Sequence, residues 1–167
     1  MPKTSNMSPW DKYQYDLEQS VFEYDPAQEN AVKELQRLFD ELTKPTQKVT
    51  WRVKIRAKFG KGMSQPSIQG IYFWGGVGRG KTYLVDTFYD CLPFEQKMRI
   101  HFHRFMHRVH TELKTLSGQS DPLQIVAKRL AAETKVICFD EFFVSDITDA
   151  MILGTLMEAL FGYGIVL

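Results

Sequence analysis

The sequence predicts an α/β fold in which a parallel sheet lies between layers of helices. Three observations carry this. From residue 67 onward, short apolar runs alternate with segments of helical period. A glycine-rich turn joins the first of these runs to a helix, and a later apolar run, residues 136–139, ends on two adjacent acids. The 167 residues are 44% hydrophobic and 25% charged, so one ordinary domain has enough apolar material for a core, and global disorder is excluded.

Residues 1–24 scatter Trp10, Tyr13, Tyr15, Phe22 and Tyr24 among polar residues with no clean period. They are expected to form an irregular arm that packs a few rings on the core. A helix should follow: Asp25 suits the N-cap, Pro26 the first helical position and Gln28 a capping box. Ala31, Leu35, Leu38 and Leu42 then recur at helical spacing until Pro45.

Residues 44–66 hold seven Lys or Arg and no acid. Within them residues 51–59 alternate apolar and cationic, the pattern of a strand with one charged face, before Gly60, Gly62, Ser64 and Pro66 break it. The predicted division is an N-terminal arm, helix and basic linker over 1–66, and an α/β core over 67–167.

In the core, residues 68–74 read as a strand, 81–92 as a helix and 99–104 as a strand. Phe105, Met106, Val109, Leu113 and Leu116 mark a helical face ending at Gly118. Asp121-Pro122 opens another helix through Leu123, Val126 and Leu130. After the strand at 136–139, Ser145 or Asp146 should cap a helix carrying Ala150, Leu153, Met157 and Leu160. Residues 165–167 begin a further strand.

A net charge of +1 gives no polyelectrolyte character, and no specific nucleic acid is expected as partner. Two cysteines, Cys91 and Cys138, cannot build a disulfide framework and read as buried apolar fillers in a reducing compartment. No apolar stretch approaches 18 residues, and the N-terminal residues lack a signal core while holding Asp11, Asp16, Glu18 and Glu23. The expected location is cytoplasmic, in a bacterium.

The strongest motif is Gly75-Gly76-Val77-Gly78-Arg79-Gly80-Lys81-Thr82, which satisfies the phosphate-loop pattern between a predicted strand and a predicted helix. Glycines let the backbone wrap a polyphosphate with its N–H groups turned inward, and a helix N-terminus favours the anion. Lys81 is the candidate cation for the β- and γ-phosphates and Thr82 the candidate hydroxyl ligand of Mg²⁺. Gly75 through Thr82 and the following Tyr83 form the candidate nucleotide-binding set. Asp140, at the tip of the apolar strand, is the second candidate Mg²⁺ ligand, and Glu141 is placed to polarise an attacking water. An acid there suits hydrolysis. The adjacent pair, and the absence of an Asn-Lys-x-Asp guanine-reading motif, favour an ATPase over a small GTPase. Glu141 and Lys81 are the catalytic candidates, with ATP and Mg²⁺ as cofactors.

The residues also carry a resemblance. Gly70-Ile71-Tyr72-Phe73-Trp74 leading into the loop, His101-Phe102-His103-Arg104-Phe105-Met106 with Val109-His110, and Cys138-Phe139-Asp140-Glu141-Phe142-Phe143-Val144-Ser145-Asp146-Ile147-Thr148-Asp149-Ala150-Met151 resemble the ZapE-like AAA+ ATPases, a family of bacterial cell-division ATPases and their mitochondrial relatives. The likeness is strong over 68–167 and weak over 25–43. It implies a P-loop, three-layer αβα core and a Mg-ATP hydrolase that remodels protein partners, in bacteria the division-ring protein FtsZ or another division protein. It also implies a homo-oligomer at full length, sited in the cytoplasm and at the inner membrane or division site. Family members continue beyond this point with a phosphate-sensing strand, an arginine finger and a lid. The resemblance therefore implies a core that stops before its last strand, with weak hydrolysis. The alternative is an ATP-gated binding or loader module, like a helicase loader, in which hydrolysis is slow.

Other features carry second readings. Gln28 is a candidate adenine contact beside its capping role. His101, His103, His107 and His110 fall within ten residues; on a helix His103, His107 and His110 could share a face and a zinc site, although a strand end and helix start beside the nucleotide face or a subunit contact fits them better. Phe105 and Met106 are candidate substrate contacts or core. The basic stretch 51–61, with Trp51, Arg52, Lys54, Arg56 and Lys58, is a candidate contact for anionic lipid at a membrane surface, or a solvated edge strand.

Overall fold

A computed structural model describes residues 7–44, 68–76 and 78–167. In chain order these form α1 (Pro9–Glu18), α2 (Pro26–Thr43), α3 (Lys81–Cys91), β1 (Lys97–His101), α4 (Phe102–Thr115), α5 (Pro122–Glu133), β2 (Val136–Asp140) and α6 (Ile147–Gly162). The basic stretch 51–61, the boundary at 66/67 and Val77 lie outside the described residues.

β1 and β2 pair in parallel, with Lys97 beside Val136 and His101 beside Asp140. Along the other edge of β2, the Val166 N–H donates to Lys135 O and the Ile137 N–H donates to Val166 O, both at 2.9 Å. The Ile71 N–H then donates to Leu167 O at 3.2 Å. The four segments thus lie in the order β1, β2, 165–167, 68–74, and residues 165–167 separate the lead-in of the glycine loop from β2.

The two-residue alternation of a strand sends successive side chains to opposite faces. Ile137 and Ile165 join Phe102, Phe105, Met106, Val126, Leu130 and Leu156 in one core. Val136, Cys138 and Val166 join Tyr13, Val32, Leu35, Leu84 and Phe88 in the other. Helices α1–α3 therefore cover one face and α4–α6 the other, the α/β arrangement the sequence predicts. Each fully buried Leu- or Phe-sized side chain in these layers contributes roughly 1.5–3 kcal/mol.

Several local expectations are corrected. The arm is not irregular, because residues 9–18 are helical. Ser8 caps them: the Asp11 N–H donates to Ser8 Oγ at 3.2 Å and the Ser8 N–H to Asp11 Oδ2 at 3.4 Å, with Pro9 opening the helix. Trp10, Tyr13 and Leu17 then share its inward face. Gln28 takes no part in a capping box; Asp25 Oδ1 accepts from the Ala27 N–H at 2.8 Å and caps α2 alone. Residues 68–74 do not form a strand, since residues 165–167 offer them one ladder bond, and 165–167 themselves make a single bridge. β1 ends at His101 because Phe102, Phe105, Met106 and Val109 form the buried stripe of α4. Phe105 and Met106 are 0% and 1% exposed, which makes them core and not substrate contacts. Asp121 stands at the N-cap of α5 without a side-chain hydrogen bond. Of the two candidates for capping α6, Asp146 serves, accepting from the Thr148 N–H at 2.6 Å.

Gly70 is fixed by a close approach. A Cβ there would stand 1.9 Å from Leu167 O, so only glycine lets the two backbones meet.

Candidate functional site

The glycine loop runs from residues 68–74 into α3; the helix of its strand–loop–helix context is present, while the lead-in is held to residues 165–167 by one ladder bond and is not a strand. Gly75, Gly78 and Gly80 have φ of +136°, +83° and +74°. These values are open to glycine and costly to other residues, and such turns direct backbone N–H groups toward one centre. Gly80 is the N-cap of α3. A Cβ there would also meet Gln28 Nε2 at 2.5 Å.

Lys81 opens α3, and its ammonium folds back over the loop, donating to Gly75 O at 2.9 Å and Gly76 O at 2.6 Å. The loop's one lysine is thus stationed against the loop it would serve. The start of α2 closes the other side. Gln28 Nε2 donates to Arg79 O at 3.3 Å, and Arg79 pairs with Asp25 at 3.5 Å. Between them lies a cleft of about 350 Å³ lined by Gln28, Ala31, Phe73, Trp74, Gly75 and Lys81, among others. Gln28 Oε1 is buried beside it with no partner among the described residues. That acceptor would suit an amino donor such as that of adenine.

Asp140 and Glu141 sit where β2 ends. Two contacts bring this end toward the loop. Arg99 of β1 places Nη2 at 2.7 Å from Asp140 Oδ1 and 2.8 Å from Asp86 Oδ1, and its Nε–H donates to Asp86 Oδ1 at 3.1 Å. Asp86 is one helical turn beyond Thr82 on α3, so both share a face. In addition, the Tyr72 ring, three residues before the loop, meets Phe142 edge-on with centroids 6.1 Å apart. Glu141 is exposed with φ +49°, a left-handed conformation that costs a non-glycine residue roughly 1 kcal/mol or more and concentrates at functional sites.

The residues fit a nucleotide with Mg²⁺. The loop has the left-handed glycines that a phosphate cradle needs, and the orphan Gln28 oxygen sits in the cleft. The donors offered to the metal are a hydroxyl and a carboxylate. Mg²⁺ takes such hard oxygen ligands and draws the rest from phosphates and water. Among the described residues no group of three or more His, Cys, Asp or Glu could hold a metal, so the four histidines do not make a zinc site. His101 and His103 lie ring to ring at 5.7 Å, and His110 Nε2 lies 2.6 Å from Asp149 Oδ1.

Tyr83 turns away from the loop. Its hydroxyl donates to Asp16 Oδ2 at 2.6 Å, and Lys12 pairs with the same carboxylate. Burial, then the bond to Asp16, push the Tyr83 hydroxyl well above the ordinary tyrosine range. The Tyr83 ring meets Phe22 edge-on at 5.0 Å, and Phe22 stacks on Tyr13 at 5.5 Å. Sequence reasoning missed Arg99, Asp86 and Asp16. The cationic-apolar alternation of Lys97-Met98-Arg99-Ile100-His101 was the available signal for Arg99.

Fold and loop together are those of an α/β protein whose helix α3 opens on a glycine loop of phosphate-loop pattern. Comparison with known proteins makes the assignment specific: the family model described as AFG1-like ATPase matches residues 7–167, and the chain belongs to that family. It is 49% identical to the cell division protein ZapE of Escherichia coli K12, over 97% of this chain and 45% of that protein. It is 35% identical to the uncharacterized protein C115.02c of Schizosaccharomyces pombe, over 98% and 42%. It is 45% identical to lactation elevated protein 1 homolog B of Danio rerio, over 59% and 22%. The chain spans under half the length of these relatives. No solved structure matches it. Among the described residues no helix is long and apolar enough to cross a membrane.

Proposed function

We propose that the chain is the nucleotide-binding part of an ATPase that couples Mg-ATP to the remodelling of a protein partner. The observation that carries this reading is the loop of left-handed glycines opening α3, with the acid-tipped end of β2 tied to that helix through Arg99 and Asp86. In this reading the loop N–H groups of Gly75 to Gly80 bind the phosphates. Lys81 leaves the Gly75 and Gly76 carbonyls for the β- and γ-phosphate oxygens. Thr82 and Asp140 would hold Mg²⁺, directly or through water, and the ion would supply neutralisation of phosphate charge. Glu141 accepts hydrogen bonds from the attacking water and orients it. Gln28 meets the adenine edge, and Tyr83 anchors α3 from behind.

Family membership supports hydrolysis as the reaction. The name of the E. coli relative supports a role in cell division, with FtsZ or another division-ring protein as the partner that the resemblance implies. Homo-oligomerisation, and membrane contact through residues 51–61, rest on the resemblance and on charge alone.

The test is nucleotide trapping. Glu141→Gln should bind Mg-ATP as tightly as the parent chain yet release no phosphate. Undiminished turnover in this variant would remove Glu141 from the reaction, and turnover slow in the parent with partner binding governed by ATP would favour a loader-type switch.

A further inference from the structure

Arg99 is mostly buried, with 17% of its side chain exposed, and it faces two carboxylates from different elements. Its bonding is lopsided. Asp86 receives a hydrogen bond from Nε as well as the Nη2 contact, so the guanidinium is anchored to α3. Asp140 is reached by Nη2 alone, as an ion pair. Nη1 is buried without a partner among the described residues. Structural arginine–carboxylate pairs are frequently bidentate, and most buried N–H groups find a partner, so this arrangement stands out. Here a positive charge stands against the carboxylate that the proposed function assigns to the metal, hydrogen-bonded through Nε to Asp86 and in ion-pair contact alone with Asp140.

We propose that Arg99 is a resident cation that holds the place of the metal. In nucleotide-free protein it neutralises Asp140 and Asp86 and keeps a free divalent cation from binding there. It yields Asp140 only when the metal arrives already coordinated by a triphosphate. Arg99 is a positioning residue: it acts through Asp140 and stays tethered by Asp86 when Asp140 is released. The inference rests on the reading of Asp140 as the metal-facing acid.

The physical basis is charge balance. Two carboxylates sharing one guanidinium nitrogen would repel each other without it; Asp140, 24% exposed, is screened less than Asp86, which is 54% exposed. Removing the guanidinium leaves an acid pair that a divalent cation would bind, and the arginine suppresses that binding. A metal carried by ATP brings the glycine loop's interactions with it, which a bare ion cannot.

The experiment is Mn²⁺ titration of the full chain without nucleotide, followed by electron paramagnetic resonance, for the parent, Arg99→Met and the double variant Arg99→Met/Asp140→Asn. The expected result is weak Mn²⁺ binding by the parent, at least about tenfold tighter binding by Arg99→Met, and loss of that gain in the double variant. Equal affinity of parent and Arg99→Met would overturn the proposal, as would a gain that survives Asp140→Asn. If Arg99→Met does not fold, Asp86→Ala, which offers Arg99 no acceptor, gives the decision. Freed of its anchor, Arg99 should hold Asp140 harder and raise the Mg²⁺ concentration needed for half-maximal uptake of a fluorescent ATP analogue; an unchanged requirement counts against the proposal. Saturable Mg-ATP binding by the parent separates this outcome from failure of the nucleotide reading itself.

Discussion

His110 Nε2 lies 2.6 Å from Asp149 Oδ1, which ties α4 to the start of α6. Each residue belongs to one of the two runs that carry the family resemblance, so the pair joins those runs. Both side chains are about two-thirds or more shielded, and a partly buried hydrogen bond of this kind contributes roughly 1–2 kcal/mol. His110→Ala and Asp149→Asn should each lower unfolding free energy by that amount. The double variant should lose less than the two together. Additive losses in urea titrations would mean the contact carries no energy.

Tyr83 and Asp16 make the matching tie on the opposite face, between α3 and α1. Tyr83→Phe leaves the buried Asp16 carboxylate with Lys12 alone and should cost about 1–3 kcal/mol in the same titrations. An unchanged midpoint would show that Lys12 suffices.

Alkaline pH should destabilise the fold through groups that are buried neutral. Burial raises the Cys91 and Cys138 thiols from 9.0 to about 11 each, and burial first, then Asp16, raise Tyr83 above its ordinary 10.0. A raised folded-state pKa means that the native chain keeps a proton the unfolded chain releases, so stability is whole below pH 9 and falls as pH climbs toward 11. Thermal melts across pH 8–11 should show that decline, and Cys138→Ser or Cys91→Ser should blunt its first part. At pH 8 both thiols should resist a thiol reagent until the chain is unfolded.

Gly70→Ala should separate the loop's lead-in from residues 165–167, since the new methyl would meet Leu167 O at 1.9 Å. The expected loss is about 1–3 kcal/mol, together with weaker nucleotide binding because the segment feeding the loop shifts. A variant as stable as the parent would show that the close approach is dispensable.

The layered architecture was legible from the sequence because β2 is an unbroken apolar run, Val136, Ile137 and Cys138, and α4 carries Phe105, Met106 and Val109 at helical spacing. The glycine loop was legible because its chemistry is local. What could not be read is what depends on distant partners. The α1 helix was hidden because its inward residues, Trp10, Tyr13 and Leu17, are outnumbered by polar ones, though Ser8-Pro9 with Asp11 was a readable cap. Gln28 was readable as a capping residue and as an adenine contact, but its bond to Arg79 was not, because the two lie fifty-one positions apart. Arg99 looked like an ordinary strand cation. Only the packing of β1 beside β2 and α3 sets it between Asp86 and Asp140.

The most direct test of the central claim is calorimetric titration of Mg-ATP into the folded chain, with Lys81→Ala as the comparison. The expected result is saturable one-site binding that weakens about tenfold to a hundredfold in Lys81→Ala, the loss of a charge-assisted contact, with little change in melting temperature. No saturable heat from chain that melts cooperatively, or equal affinity in Lys81→Ala, would contradict it.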